Sequence, residues 1–289
     1  MRDFQYFEPV SISEAVFLLA NKEKAKVIAG GTDLIPQLQS KAIRPEYVVN
    51  IGRIPLCYIK SDDTEGVKIG ALTTIRAVEK SVELQERYGI LCEAACQMAS
   101  ISVRNIATIG GNLCNASPGA DMAPPLIGLS ATARIVGPGG ERIVPLEHFF
   151  SGSNTTVLKA DELLVEIQAP PLAPHSGAVF LKFGKLGAVE VAIVSVAVVI
   201  TLESTAGVCR EAKVVLGSAA PTPMRALRAE KILEGKRIDD KVIEEAAQAA
   251  SMEARPRTGL RGPAQYKRDM VKVFTRRAVR AALELAKRR

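Results

Sequence analysis

The sequence predicts an α+β protein built in two parts, and three observations carry that prediction. Residues 1–168 alternate strand-like and helix-like segments around two glycine pairs. The run Ala169-Pro170-Pro171-Leu172-Ala173-Pro174 cannot sit inside a continuous element, because each proline lacks an N–H and fixes its own φ. Beyond it, three β-rich runs precede helix-patterned sequence, the order expected of a small antiparallel sheet backed by helices. The expected partition is 1–172, with lobes at 1–55 and 56–172, followed by 173–289. A chain of 289 residues with 47% hydrophobic and 24% charged content has enough apolar surface for such cores.

The elements follow in order. A short opening strand leads to Ser11-Ile12-Ser13-Glu14, a capped helix start, after which Ala15, Leu18 and Leu19 supply an apolar face. Residues 26–29 form a strand that runs into the first glycine pair, 34–40 a short helix or turn, and 47–51 another strand. Alternation through 67–70 predicts a strand, Thr73-Thr74 start a helix over 75–81, and an Ala-rich helix is expected over 90–100. A helix over 123–129 lies behind the second glycine pair, and strands 133–136 and 142–145 flank the Gly-Pro-Gly-Gly turn at 137–140. Residues 162–168 close the first part. Strands are then expected at 178–185, 189–201 and 212–217, and helices at 227–233, 240–254 and through the basic tail.

That tail is the most charged part of the chain. From Ala254 onward twelve Lys and Arg stand against Asp269 and Glu284, a net +10 within a chain of net +7. Nucleic-acid binding is the weakest reading, since aromatic side chains are not interleaved with the cations. Tyr266, Met270, Phe274, Ala278, Ala281 and Leu285 recur at helical spacing, so a docked helix with a solvated basic face is expected. A subunit contact is the main alternative.

Other classes are excluded more simply. The longest apolar stretch, 189–202, is interrupted by Glu190 and Ser195 and is too short to span a bilayer. The opening residues lack a signal-peptide core, so a cytoplasmic protein without membrane insertion is expected. The five cysteines, Cys57, Cys92, Cys96, Cys114 and Cys209, are scattered and lack the spacing of a disulfide framework or a metal site. With only two histidines no histidine-rich metal centre is expected. No acid–base or nucleophilic constellation stands out, so no catalytic residue is assigned.

The informative chemistry lies in the two glycine pairs. The first is Ala29-Gly30-Gly31-Thr32-Asp33-Leu34, after the apolar Val27-Ile28; the second is Thr108-Ile109-Gly110-Gly111-Asn112. Adjacent glycines expose consecutive backbone N–H groups and let a phosphate approach with no Cβ in the way. Neither segment matches the Rossmann G-x-G-x-x-G or a P-loop. What remains is a diphosphate cradle shared by two loops, with Thr32 and Thr108 hydroxyls and backbone amides as donors. Taken singly, each pair is equally well a tight turn. Asp121 is open between accepting from a ribose hydroxyl and capping the helix that follows.

In this order, AGGTDL at 29–34, TIGGN at 108–112 and ASPGAD at 116–121 resemble the FAD-binding medium subunit of the molybdenum hydroxylases, the xanthine dehydrogenase and carbon monoxide dehydrogenase type. The closing LRGPAQYKR at 260–268 extends the resemblance over the whole chain. It implies a two-lobed flavin domain of the p-cresol methylhydroxylase type over 1–172, with FAD between the lobes, and a C-terminal α+β domain. By motif position it implies that Val27, Ile28, Ala29, Gly30, Gly31, Thr32, Asp33 and Leu34 line one side of the cofactor. Thr108, Ile109, Gly110, Gly111 and Asn112 line the other. Asp121 falls at a ribose-binding carboxylate, and Leu164 and Lys182 fall near the flavin end.

The resemblance further implies partners: a large molybdopterin subunit and a small subunit with [2Fe-2S] clusters, in a dimer of heterotrimers. Electrons would reach FAD from those clusters and leave to an outside acceptor. The stretch 182–188 lacks the paired arginines of many relatives, which leaves the acceptor open, and no cysteine-bearing insertion supports an extra [4Fe-4S] cluster. A self-contained flavin oxidoreductase on the same fold, or a non-catalytic scaffold, are the competing readings.

Overall fold

Ser11 starts the first helix as its sequence predicts: its Oγ accepts from the Glu14 N–H at 3.2 Å, while the Glu14 carboxylate accepts from the Val10 N–H at 2.9 Å. These bonds belong to a computed structural model that describes residues 4–184, 189–204 and 207–288. The first lobe runs β1 (Gln5–Phe7), α1 (Ile12–Asn21), β2 (Ala25–Ile28), α2 (Leu34–Gln39) and β3 (Tyr47–Asn50). Its strands form a parallel sheet in the order β1-β3-β2. Parallel neighbours require crossovers, and α1 and α2 provide them.

The second lobe continues through β4 (Ile59–Asp62), β5 (Gly66–Gly70), α3 (Ile75–Lys80), α4 (Val82–Arg87), α5 (Gly89–Cys96), α6 (Ile101–Arg104), α7 (Ile109–Asn115) and α8 (Ala123–Gly128). It closes with β6 (Thr132–Gly137), β7 (Gly140–Pro145), the short pair β8 (Phe150–Gly152) and β9 (Thr155–Thr156), and β10 (Leu163–Ala169). The main sheet is antiparallel in the order β4-β5-β10-β6-β7. Leu163 and Val165 of β10 pack toward the first lobe with Val49 and Ile51, whereas Leu164 and Ile167 face the second lobe's core. One strand thereby serves both lobes.

The C-terminal sheet is β11 (Ser176–Phe183), β12 (Val194–Leu202), β13 (Cys209–Gly217) and β14 (Met224–Arg225), antiparallel in chain order. Then come α9 (Leu227–Leu233), α10 (Asp240–Glu253) and α11 (Ala264–Arg288). Every residue of β12 is buried. Ala197 and Val199 point into the core shared with α5 and α8, while Val196, Val198 and Ile200 point into the core under α9 to α11. Burial on both faces is why this strand reads as an unbroken apolar run without alternation.

Several boundaries differ from expectation. The helix expected over 90–100 ends at Cys96; Ala99 takes a left-handed φ of 46°, and Ser100 Oγ caps α6 by accepting from the Val103 N–H. The strand expected from 189 starts at Val194, where pairing with β11 begins, and Val189 and Val191 are exposed. Lys185 to Ala188, including the end of the expected strand 178–185, lie outside the described residues.

The tail does dock as a helix, but on a rotated face. Val271, Thr275, Ala278, Ala282 and Ala286 are buried, with Met270, Phe274, Ala281 and Leu285 on the flank and Tyr266 exposed. Small residues win the central positions because helix and sheet backbones meet there. A Cβ on Gly177 of β11 would overlap the carbonyl oxygen of Ala282. On the outer side Lys272 and Arg276 pair with Glu244 of α10, and Arg280 pairs with Asp240. Among the described residues no helix is long and apolar enough to cross a membrane.

Candidate functional site

The first glycine pair follows β2 directly. Gly31 has φ +71°, a left-handed conformation that L side chains rarely adopt, so the loop turns sharply into α2. Gly30 meets a different demand: a Cβ there would overlap the Ile106 carbonyl, where the two lobes touch backbone to backbone. Among the described residues, the N–H groups of Gly30, Gly31, Thr32 and Asp33 donate to no other protein group. Four consecutive amides without protein partners are an uncommon arrangement in a folded chain, and they suit an anion or water.

The second glycine pair is not the loop expected from its sequence. Gly110 and Gly111 form the first turn of α7, and Thr108 is its N-cap, with Oγ1 accepting from the Gly111 N–H at 3.0 Å. The neighbouring amides are also committed. Ile109 donates to Thr73 O, Gly110 to Ala71 O and Asn112 to Thr108 O. Gly110 is required by packing, since its Cβ would lie 2.7 Å from the Cβ and carbonyl oxygen of Ala71. This wall therefore offers side chains, the Thr108 hydroxyl proton and the Asn112 carboxamide, in place of a row of amides.

Between the two walls lies a cleft of about 360 Å³, within the usual range for small-molecule sites. Val27, Ile28, Ala29, Gly30, Gly31, Thr32, Asp33, Leu34, Thr108, Gly110, Gly111, Asn112 and Leu164 all line it. Leu164 is both core residue and cleft wall, being 2% exposed. Ile109 is wholly buried in the core and backs the cleft without lining it.

Sequence reasoning missed Met98, Cys114, Asn115, Asn154, Leu158 and Glu162, which also line the cleft. Met98 lies just beyond α5, and its sulfur is 3.7 Å from the Asn112 side-chain nitrogen. Glu162 is clamped by Arg142 through two hydrogen bonds of 2.9 and 2.7 Å, which hold its carboxyl at about 2. Among the described residues Lys26 is the lining cation and stands against Asp33 and Glu162, so an anion here is held chiefly by backbone and hydroxyl dipoles.

Asp121 and Lys182 are brought together, but they are not among the residues lining this cleft. Lys182 Nζ lies 2.8 Å from Asp121 Oδ2 and 2.7 Å from Gln97 O, with both side chains no more than 5% exposed. The cap alternative for Asp121 is excluded, because Met122 is the N-cap of α8 and no side-chain bond caps that helix. Burial pushes the Asp121 carboxyl up to about 6 although the Lys182 ammonium opposes the shift. Its other oxygen, Oδ1, is buried without a partner. A hydrogen bond from Met122 N–H to Asn112 Oδ1, 3.4 Å, connects this pair's segment to the cleft wall.

Comparison with known proteins decides the family. A family model described as "FAD binding domain in molybdopterin dehydrogenase" matches residues 2–172, and the "CO dehydrogenase flavoprotein C-terminal domain" matches 181–282. The chain belongs to the FAD-binding subunits of the molybdenum hydroxylases. Among curated relatives of this flavin subunit, the carbon monoxide dehydrogenase medium chain of Afipia carboxidovorans is 36% identical over 98% of both chains. The xanthine dehydrogenase FAD-binding subunit of Escherichia coli is 29% identical over 99% of this chain and 98% of its own. The solved carbon monoxide dehydrogenase from Hydrogenophaga pseudoflava superposes with TM-score 0.94 at 35% identity, covering 98% of each chain.

The flavin subunit's cleft fits the cofactor its family names. Unpaired amides at 30–33 and two threonine hydroxyls match a diphosphate, and Val27, Ile28, Leu34, Met98 and Leu164 offer apolar walls for flat rings.

Proposed function

We propose that this chain holds one FAD between its two lobes, receives electrons from [2Fe-2S] clusters on a small partner subunit, and delivers them to an external acceptor. The observation that carries the reading is the row of unpaired amides from Gly30 to Asp33 facing Thr108 across the seam between the lobes. The medium-chain names of the relatives support a place among other subunits. On this reading a large subunit carries molybdopterin and the organic substrate, the assembly is a dimer of heterotrimers, and the FAD-binding and C-terminal domains are 1–172 and 173–289.

When bound, FAD supplies chemistry that accepts electrons singly and yields them in pairs. The residues of this chain do the rest without a proton donor or nucleophile of their own. Gly30 to Asp33 and the Thr32 and Thr108 hydroxyls hold the diphosphate. Leu164 and Met98 exclude water from an apolar ring, while Asp121 lies behind the lining, where its ion pair with Lys182 supports the segment that Met122 N–H ties to Asn112. The chain expressed alone should be yellow, with a flavin absorption spectrum and one FAD released per chain on denaturation. A colourless protein that takes up no added FAD would sink the proposal.

A further inference from the structure

Helix α5 ends at Cys96, and the carbonyls of Gln97, Met98 and Ala99 just beyond it are all taken by cations from later in the chain. Arg104 Nη1 donates to Met98 O at 2.8 Å and to Ala99 O at 2.7 Å, and Lys182 Nζ donates to Gln97 O at 2.7 Å. Both cations are buried, Arg104 at 6% exposure and the Lys182 side chain at 3%. Ala99 sits in a left-handed conformation, φ 46°, which a residue with a Cβ keeps only where its surroundings impose it. Arg104 is itself fixed from behind: its Nε donates to Glu79 Oε2 at 2.9 Å, and Arg76 Nη1 donates to the other carboxylate oxygen at 2.7 Å. Burial opposes the charge on Glu79, yet the two guanidinium groups hold its carboxyl below the ordinary value.

Met98 is the residue of this turn that reaches the cleft. Its sulfur accepts from Asn112 Nδ2 at 3.7 Å, and Asn112 Oδ1 accepts from the Met122 N–H at 3.4 Å. The neighbouring Asp121 pairs with Lys182 at 2.8 Å. These contacts close a ring from Lys182 through Gln97, Met98, Asn112, Met122 and Asp121 back to Lys182. Arg104 does not line the cleft and grips that ring at Met98.

We propose that Arg104 is a positioning residue for the cofactor: by holding the Met98 and Ala99 carbonyls it fixes the Met98 thioether as an apolar wall for the flavin ring. The inference rests on the function proposed above and names the residue that presets this part of its site. Methionine is unbranched and has three rotatable bonds, so its side chain makes a defined wall only on a fixed main chain. The planar fork of an arginine suits that task, because it binds two carbonyls and a carboxylate at set angles. Glu79 neutralises the guanidinium, so Arg104 acts on the cofactor through Met98 and not through its charge.

The test is a double-mutant cycle on FAD affinity, read by fluorescence titration of the FAD-free full chain. The temperature is one at which each apoprotein is fully folded, so that stability does not enter the affinity. Arg104→Gln should weaken FAD binding about fivefold, the scale of one thioether–aromatic contact, and blur the vibronic shoulder of the bound flavin's visible band. Met98→Ala should do the same. The double variant should bind no more weakly than Met98→Ala alone, because Arg104 then has nothing to position. Arg76→Gln takes a partner from Glu79 but leaves the Met98 and Ala99 carbonyls held, so it should bind as wild type. Arg104→Lys keeps the charge beside Glu79 without spanning both carbonyls. It should recover part of the affinity and of the shoulder, and it runs the same cycle where the glutamine variant does not fold. Unchanged affinity and spectrum in both Arg104 variants overturns the proposal. So do additive losses in the double variant, or an equal loss in Arg76→Gln, since Arg104 would then support the fold at large. A wild-type chain that takes up no FAD would instead overturn the underlying function.

Discussion

Gly30 and Ile106 meet backbone to backbone, so closely that a single methyl on Gly30 would occupy the place of the Ile106 carbonyl oxygen. The contact joins the two lobes at the point where the unpaired amides begin. Rigid main chain on both sides leaves no flexible atom to give way.

Gly30→Ala should therefore cost about 3 kcal/mol of stability, the upper part of the range for overpacking, and should lower FAD content in parallel. Thermal unfolding and flavin content measure the two effects. Gly111→Ala is the informative contrast, because its Cβ would meet only the Thr108 hydroxyl, at 2.9 Å. It should be the milder change.

Thr108 both caps α7 and presents its hydroxyl to the cleft. Thr108→Val keeps the shape and removes the oxygen, so it should cost about 1 kcal/mol as a lost cap and weaken FAD binding. Thr108→Ser should recover most of both. Urea unfolding and FAD titration of the apoprotein separate the contributions.

Lys182→Met would leave the Asp121 carboxylate buried without its ion pair, at a cost of about 3 kcal/mol at neutral pH. The sign of the pH dependence follows from the raised Asp121 value. Protonation of Asp121 is easier in the folded chain than in the unfolded one, so acidification through about 6 relieves the buried charge. Without Lys182, whose ammonium lowers the Asp121 value, the carboxyl of the variant titrates higher still, so its stability deficit should be largest well above pH 6 and shrink as the pH falls to about 6, as measured by urea unfolding in buffers from pH 8 to 5.

Glu162 gives the opposite sign. Arg142 holds its carboxyl at about 2, against an ordinary 4.5, so the pair stabilises the fold above about 4.5 and the benefit is lost as pH falls toward 2. Glu162→Gln should destabilise by about 2 kcal/mol at pH 7, the scale of a charged hydrogen bond. The two proteins should converge in stability near pH 2 to 3.

What the sequence made legible was local. Ser11 and Thr74 announced their helices because a cap is a short-range hydrogen bond, and both side chains make it. The walls of the cleft were legible because their motifs are contiguous. The state of the second glycine pair was not, since the commitment of Gly110 N–H to Ala71 O joins segments that only the fold brings together. Met98 and Glu162 were missed for the same reason. Nothing about a methionine after an Ala-rich helix, or a glutamate before a strand, signals that each completes a cleft begun far away in the chain. Lys182 and Asp121 were each identified singly, but their pairing required β11 to lie against the end of α5.

The two-sided burial of β12 has a consequence for how the chain can be divided. Phe180, Ala197, Val199 and Val215 complete the core of the flavin lobe from beyond the proline-rich segment. A fragment ending at that segment would expose the helix faces they cover, and the remaining piece would carry a sheet stripped on one side. The junction between the two family models thus lies over a shared interior that runs across it.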